Sequence, residues 1–348
     1  MSQAETKPKP MHPIASEEWL AKTQEEILEP DLPIVDPHHH LWGDPRPQYL
    51  LEEFLADATS GHNVRSSIFV DCTEQYRKTG PEHLRSVGET EFALSVFKEA
   101  QRRYPNGPRV CEGIISYADL CAGAAVREVL EAHIEAGEGH FKGIRQSTSW
   151  DADDRLRTTA RIPPARLLYD EKLREGFAQL APLGLTFDSW VYFHQLQDVV
   201  DLARDFPDTT IILDHIGGPL GIGPYEGKRE EVFQVWSRGI RELAKSPNVH
   251  VKIGGMGMRI AGYGFHEMET PPGSQHLADA WRPYVETCIE AFGADRAMFE
   301  SNFSVDKLGY SFPVLWNAFK RLAAGCSEDE KTQLFSGTAT RVYNLTLA

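Results

Sequence analysis

Short apolar runs rich in β-branched residues alternate with amphipathic stretches along nearly the whole chain. Several of these runs, such as residues 210–213, are continuous, as expected for parallel strands that are covered on both faces. Eight such runs joined by helical crossovers predict an α/β fold, a single-domain (β/α)8 TIM barrel with long strand-to-helix loops. The predicted strands are Pro33–Asp36, Ser66–Asp71, Arg109–Ile115, Phe141–Arg145, Leu185–Tyr192, Thr210–Asp214, Val249–Ile253 and Arg296–Phe299.

A doubly wound open sheet is the alternative to the barrel. No Gly-x-Gly-x-x-Gly turn follows a predicted strand, and polar residues recur at nearly every strand end, which is where a barrel carries its chemistry. The barrel is therefore favoured. The predicted helices are Ala125–Ala136, Leu196–Phe206, Arg229–Lys245, His276–Phe292, Phe312–Ala324 and Glu328–Tyr343.

Three segments exceed the length of ordinary loops, namely 147–180, 217–227 and 254–273. Loops of this length usually carry function or are disordered. The third segment is apolar and punctuated by glycines, which suits either a lid over a pocket or an irregular cap packed on the barrel rim.

The composition indicates which classes of partner and which cellular compartment to expect. Residues 1–31 are predicted to be a polar, proline-rich leader without an apolar signal core, and residues 32–348 to be the barrel. A net charge of −15 without a basic cluster argues against nucleic acid or a membrane as partner, but it does not forbid an anionic small substrate. The expected partner is a small carboxylated or polyhydroxylated substrate. Five scattered cysteines without a CxxC pair favour a reduced cytoplasmic protein, and homo-oligomer formation stays open.

Three histidines and a tryptophan follow the first predicted strand, in the run Asp36-Pro37-His38-His39-His40-Leu41-Trp42. Alternation along a strand sends His38 and His40 to one side and His39 to the other, where we expect it to be structural. Two imidazoles on one face can hold a metal ion or polarise a substrate carbonyl. Trp42, beside His40, is expected at the pocket.

Polar residues at later strand ends extend this pattern. They include Asp71, Arg145, His194 with Gln195, Asp214 with His215, Lys252 and Asn302. Four histidines from the first, fifth and sixth strands would converge on one barrel mouth. Such a cluster can bind a Lewis acid or stabilise a carbonyl oxygen as it becomes an oxyanion.

The ordered motifs resemble the amidohydrolase-2 branch of the amidohydrolase superfamily, in particular its sugar-acid and 2-pyrone-4,6-dicarboxylate lactonases. The matching segments are Asp-x-His-x-His-x-Trp, Gly143-Ile144-Arg145, Phe193-His194-Gln195-Leu196, Leu213-Asp214-His215-Ile216-Gly217, Val251-Lys252-Ile253 and Arg296-x-Met298-Phe299-x-Ser301. The resemblance spans about residues 32–343.

The resemblance implies roles for the residues at these motifs. His38 and His40 match the family's first-strand pair, and His194 and His215 match its fifth- and sixth-strand histidines, so His38, His40 and His194 are the candidate metal ligands. Arg145 would hold an anionic or oxygen-rich substrate group, since its planar fork suits a carboxylate. Further substrate contacts are expected from Trp42, Gln195 and Lys252, although a lysine at a strand end is more often a structural ion-pair partner.

The chain departs from the family at the eighth strand, where an aspartate is usual and Asn302 stands here. An amide cannot act as a base near neutral pH and binds zinc more weakly than a carboxylate. The missing group could be replaced by Asp306 if the chain coils, by Glu300, or by a histidine base. Strand alternation is expected to point Glu300 away from Asn302's neighbours or to the rim. Asn302 itself would then orient water or substrate.

These observations predict hydrolysis of an ester, most of all a lactone, of a small organic acid, with His38, His40, His194 and His215 polarising the carbonyl. The cofactor is expected to be either absent or one divalent ion, zinc or manganese. The alternatives are a metal-dependent decarboxylase or related lyase of the same superfamily and a catalytically inactive ligand-binding barrel.

Overall fold

The computed structural model describes residues 13–159 and 161–346, and eight strands within them form one parallel sheet. Each strand pairs with the next in chain order, which is the order of a (β/α)8 barrel and confirms the predicted fold class. The strands are β1 (Pro33–His39), β2 (Asn63–Val70), β3 (Arg109–Ser116), β4 (Phe141–Arg145), β5 (Thr186–Ser189), β6 (Ile211–Leu213), β7 (Val249–Ile253) and β8 (Ala297–Phe299).

The barrel closes through the residues that follow β8. The backbone N–H of Asn302 donates to the carbonyl of His38 over 2.9 Å, and that of His40 donates to the carbonyl of Phe303 over 2.6 Å. The buried carboxylate of Asp36 accepts from the backbone N–H and the hydroxyl of Ser301 over 2.9 and 2.6 Å. The Asp-x-His-x-His segment is therefore part of the barrel seam.

Helices α2 to α9 each follow the strand of the preceding number and cover the barrel. The predicted helix over residues 328–343 is divided into two by one π-helical turn at Gln333–Gly337. The α-helices are α1 (Glu17–Leu20), α2 (Leu51–Ala58), α3 (Val87–Arg103), α4 (Val126–Gly137), α5 (Glu171–Phe177), α6 (Leu196–Asp205), α7 (Arg229–Leu243), α8 (Ser274–Phe292), α9 (Phe312–Leu322), α10 (Glu328–Thr332) and α11 (Thr338–Val342).

The described part of the predicted leader is bonded to the barrel. The Glu25 carboxylate accepts from the backbone N–H of Ser274 over 2.6 Å, at the start of α8, and the Trp19 indole donates to the carbonyl of Met268 over 3.2 Å. These contacts brace the 254–273 segment, whose apolar side chains Ile260 and Phe265 are buried, so it packs as a cap. None of the described helices has the length and apolar character needed to cross a bilayer.

Candidate active site

His38, near the end of β1, and His40, just after it, lie side by side and are both buried. His38 Nε2 is 3.3 Å from His40 Nε2, as alternation along the strand predicts. His40 Nδ1 donates to the carbonyl of Val70 over 2.8 Å, which leaves its Nε2 without a proton. His39 points the other way, bonds to Ser67 over 2.9 Å and stacks on Phe54, in the structural position expected for it.

His215 joins His38 because the chain leaves β6 in an unusual conformation. Both His215 and Ile216 have positive φ, at 53° and 51°, so the chain turns sharply just after the strand. The His215 ring centroid then lies 4.4 Å from that of His38. Gly255 makes room for this ring, since a Cβ there would stand 2.6 Å from three atoms of His215.

Glu300 is the carboxylate at the centre of the site. Its Oε1 accepts from His215 Nδ1 over 2.7 Å, and its Oε2 lies 2.9 Å from His38 Nδ1. Burial raises its pKa, but the interactions with His215 and His38, which hydrogen-bond to it, outweigh burial and lower the pKa to about 2. The expectation that strand alternation turns Glu300 away from the site was wrong, because the alternation ends with β8 at Phe299.

A buried ion-pair network lies beneath the histidines. Lys252 Nζ donates to Asp188 over 2.5 Å and lies 3.1 Å from Asp214 Oδ1 and 3.2 Å from His38 Nδ1. The Tyr343 hydroxyl donates to the same Asp188 carboxylate over 3.0 Å. Burial lowers the pKa of Lys252, but the two carboxylates outweigh it and hold the ammonium charged. The ammonium group of Lys252 is therefore paired with buried carboxylates of the protein.

Arg145 is also tied to the protein. Its NH1 donates to His38 Nε2 over 3.1 Å and lies 3.8 Å from Asp214 Oδ2, while its NH2 donates to the carbonyl of Asp71. With Lys252 at Nδ1 and Arg145 at Nε2, cations flank both ring nitrogens of His38. Burial and the charge of Lys252 lower the pKa of His38 well below its usual value, so this imidazole is neutral.

Asn302 supports a second carboxyl group. Its amide Nδ2 donates to Asp306 Oδ1 over 2.9 Å, while the other oxygen, Oδ2, accepts from the Tyr310 hydroxyl over 2.6 Å and the Gly257 N–H over 3.0 Å. Burial raises the pKa of Asp306 to about 6. The chain coils back after Asn302, which is the condition under which Asp306 could approach it. The Asp306 carboxylate receives these three hydrogen bonds next to Asn302.

The structure places His194 and Gln195 away from the β1 pair. β5 ends at Ser189, and His194 bonds through Nε2 to Asp151 over 3.1 Å, in a 3₁₀ turn. Gln195 is buried and fastens the long β4 loop, accepting from the Trp150 N–H over 2.9 Å. The buried side chain that β5 itself contributes to the cluster is Asp188. Trp42 is buried and stacks beside His40, with ring centroids 5.8 Å apart.

A model of the amidohydrolase family matches residues 35–345 of the chain. The chain belongs to this family. It is 34% identical over 337 residues to the uncharacterized protein y4mH of Sinorhizobium fredii, covering 90% of this chain and 99% of that protein. Over 285 residues, 78% of this chain and 87% of the relative, it is 24% identical to the L-fucono-1,5-lactonase of Burkholderia ambifaria.

Solved structures share the fold of this amidohydrolase. An amidohydrolase of Burkholderia multivorans with bound zinc superposes with a TM-score of 0.64 at 23% identity, covering 90% of this chain and 99% of that one. A 2,6-dihydroxybenzoate decarboxylase from Rhizobium gives a TM-score of 0.51 at 13% identity, covering 90% and 98%. At these identities the likeness establishes the barrel alone.

The donor set of the site fits a divalent metal ion. Among the described residues, His38, Asp214 and His215 offer ligand atoms that all lie within 4.8 Å of one another. Nitrogen and carboxylate donors of this kind bind zinc, and neither oxygen of Asp214 receives a well-aligned hydrogen bond from the described residues. This group differs from the predicted set by including Asp214 and His215 in place of His40 and His194.

Sequence reasoning missed the placement of Glu300 and the role of Asp188. Asp188 carried a readable signal, since an acidic residue inside the apolar run 185–192 must be paired if it is buried. Glu300 carried a weaker one, its position immediately after a predicted strand. The pairing of Lys252 with Asp188 joins β7 to β5 and is decided only by the closure of the barrel.

Proposed function

We propose that this amidohydrolase hydrolyses the ester bond of a small lactone, with His215 as general base. The observation that carries the proposal is the 2.7 Å hydrogen bond from His215 Nδ1 to Glu300. That bond fixes the tautomer, so the lone pair of His215 lies on Nε2, where it can take a proton from water. Glu300 thereby replaces the carboxylate that Asn302 cannot supply.

Positive charge for the developing oxyanion comes from Arg145. Its guanidinium lies beside His38 and Asp214, enclosed by protein, where a fixed charge acts more strongly than in water. Glu300 stabilises the imidazolium that forms when His215 holds the proton, and His215 then returns that proton to the leaving alkoxide. A divalent ion bound by His38, Asp214 and His215 would supply Lewis-acid polarisation of the carbonyl, and because it would occupy the Nε2 lone pair of His215, the general-base role belongs to the site without the ion.

The L-fucono-1,5-lactonase relative supports the choice of a lactone over other esters and amides. The protein itself places two cationic side chains, Lys252 and Arg145, against His38. This arrangement is compatible with catalysis by protein groups alone. We therefore expect lactone hydrolysis to persist after treatment with a chelator.

The test is His215→Gln in the full chain, assayed on a panel of carboxylated and polyhydroxylated lactones. Loss of a general base should lower kcat by about 10²- to 10⁴-fold with little change in KM. The matched control is His83→Gln. His83 is an exposed histidine just before α3 whose Nε2 lies 3.5 Å from Glu128, so its replacement should leave kcat unchanged. A kcat for His215→Gln within about threefold of the parent would remove His215 from the chemistry.

A decarboxylase is the second candidate, favoured by the group of His38, Asp214 and His215 that can hold a metal. That reaction needs the ion as electron sink but no attacking water. Elemental analysis separates the two, because the lyase requires about one tightly bound ion per chain and releases carbon dioxide from an aromatic acid. An inactive barrel would instead leave every panel substrate unchanged while a carboxylated ligand still raised the Tm.

A further inference from the structure

We propose that Arg161 is the anchor for a carboxylate of the substrate, in a cavity beside the buried histidines. The inference rests on the proposed function, since it names the class of lactone that the site accepts, one with an acidic substituent. Sequence reasoning gave this role to Arg145, which contacts His38 and Asp71 instead.

The cavity lies under the long segment that follows β4. It has a volume of about 330 Å³ and is walled by residues 149–154, 156–159 and 161–163 together with Tyr192. A volume of this size suits a small molecule. The cavity is polar as well as apolar, with the hydroxyls of Thr158 and Thr159 and the rings of Trp150 and Tyr192 on its wall.

Trp190 connects the cavity to the histidines. Its indole Nε1 donates to the Thr158 hydroxyl over 3.1 Å, and its ring centroid lies 4.8 Å from that of His215. On the other side, Arg161 bonds to Asp71, whose backbone carbonyl accepts from Arg145. The Trp190 side chain thus lies between the cavity and the proposed base, His215. Asp71 links the cavity residue Arg161 to Arg145, which lies beside His38.

Arg161 is held in place with donors to spare. Its guanidinium lies 3.6 Å from the ring centroid of Tyr117 and donates to Asp71 over 3.3 Å and to the Tyr76 hydroxyl. These two hydrogen bonds use two of the five N–H groups of a guanidinium. Its side chain is 35% exposed, on the wall of the cavity. A fork that is fixed by a ring and a carboxylate, with free N–H groups, suits bidentate recognition of a second carboxylate.

The local charge also favours an anion. Asp71 lies between two arginines, Arg161 and Arg145, which outweigh burial and lower its pKa. The adjacent Glu89 adds no negative charge, because burial and Asp71 raise its pKa well above the usual value. This corner of the cavity therefore holds more positive than negative charge.

The other acidic groups of the cavity wall are already satisfied. Asp153 pairs with Arg155 over 2.5 Å, and Asp154 pairs with Arg157 over 2.5 Å. Asp151 accepts from the Tyr225 hydroxyl over 2.8 Å and from His194 over 3.1 Å. Arg161 differs from Arg155 and Arg157 because a second arginine, Arg145, binds the backbone carbonyl of its carboxylate partner Asp71.

The experiment measures binding by calorimetry on the full chain, with citrate and its neutral isostere citramide as probes. We expect citrate to bind and citramide not to bind. Arg161→Gln should weaken citrate binding on the order of 10- to 100-fold, since a charged hydrogen bond is lost. The control Arg155→Gln makes the same charge change in the same segment, at a residue outside this cavity, and should stay within about twofold.

Several results would overturn the proposal. They are equal binding of citrate and citramide, binding of neither, or unchanged citrate binding in Arg161→Gln. If Arg161→Gln fails to fold, Arg161→Lys decides, because it keeps the charge and loses the fork. Weakened binding by folded Arg161→Lys supports the anchor, and unchanged binding excludes it.

Kinetics on two lactones separates this inference from the proposed function. With 2-pyrone-4,6-dicarboxylate and the neutral L-fucono-1,5-lactone as probes, Arg161→Gln should raise KM for the dicarboxylate alone and leave kcat nearly constant. An equal effect on both lactones would overturn the anchor. If neither lactone is hydrolysed, the lactonase proposal fails on that ground, while the citrate titration still decides the role of Arg161.

Discussion

Gly254→Ala tests whether the placement of Glu300 controls the reaction. Gly254 directly follows β7, and a Cβ there would stand 2.4 Å from both Cγ and the carbonyl oxygen of Glu300, where ordinary contacts begin at 3.4 Å. The shortfall is 3.4 − 2.4 = 1.0 Å, and part of it falls on backbone that cannot rotate away. A shift of this size would stretch the 2.7 Å bond between His215 and Glu300 beyond hydrogen-bonding range.

The expected cost is about 100-fold in kcat/KM, the size of effect that a 1 Å misplacement can have, and about 1–3 kcal/mol of stability from overpacking. The assays are lactone hydrolysis, urea denaturation and ¹⁵N NMR of the His215 ring, which reports its tautomer. Gly325→Ala is the matched control, since a Cβ at that position meets nothing within 4 Å. Parent-like turnover together with an unchanged His215 tautomer would refute the reasoning.

Two further predictions concern the buried charges. Lys252→Met should destabilise the fold by about 3–5 kcal/mol, because it leaves Asp188 and Asp214 buried without their ammonium partner. Urea titration measures this free energy. The control Lys245→Met breaks an exposed ion pair with Glu242 and should cost under about 1 kcal/mol. The pKa of Glu300 falls from 4.5 to about 2, a shift of 4.5 − 2 = 2.5 units, so its stabilisation is complete above pH 4.5 and is lost as the pH falls towards 2. Glu300→Gln should lack this loss, worth about 3 kcal/mol in the parent, and an equal acid sensitivity of both proteins would contradict the assigned pKa.

The fold follows from local pattern to a large extent. The run Ile211–Leu213 is apolar over its whole length, as expected for a strand covered on both sides, and the structure confirms it as β6. The boundary at Ser189 was less accessible. Residues 190–192 are as apolar as the strand before them, yet the chain turns there into the 3₁₀ helix that carries His194, held by the bond between Gln195 and the backbone of the β4 loop.

The candidate site also contains some residues whose placement follows from local pattern and others whose placement does not. His38 and His40 meet as alternation along an extended segment predicts, although β1 itself ends at His39. Glu300 and His215 meet because alternation stops at the strand ends, where positive φ at His215 redirects its side chain and Gly254 and Gly255 leave space for both side chains. Loop residues such as Arg161 carry no periodicity, so no sequence pattern assigns them to a cavity.

The sequence by itself determined the eight-stranded barrel, the mouth at which its polar residues gather and the pairing of the β1 histidines, since each of these depends on local periodicity. Tertiary structure alone decided that Glu300 stands between two imidazoles, that Lys252 is balanced by Asp188 and that Arg145 is bound to the protein. Those partners come from strands far apart in the chain. Lys252, Asp188 and Arg145 lie within strands, and only the closure of the barrel decides which of them meet. The direction of Glu300 is set past the end of β8, where steric fit, rather than alternation, fixes the backbone.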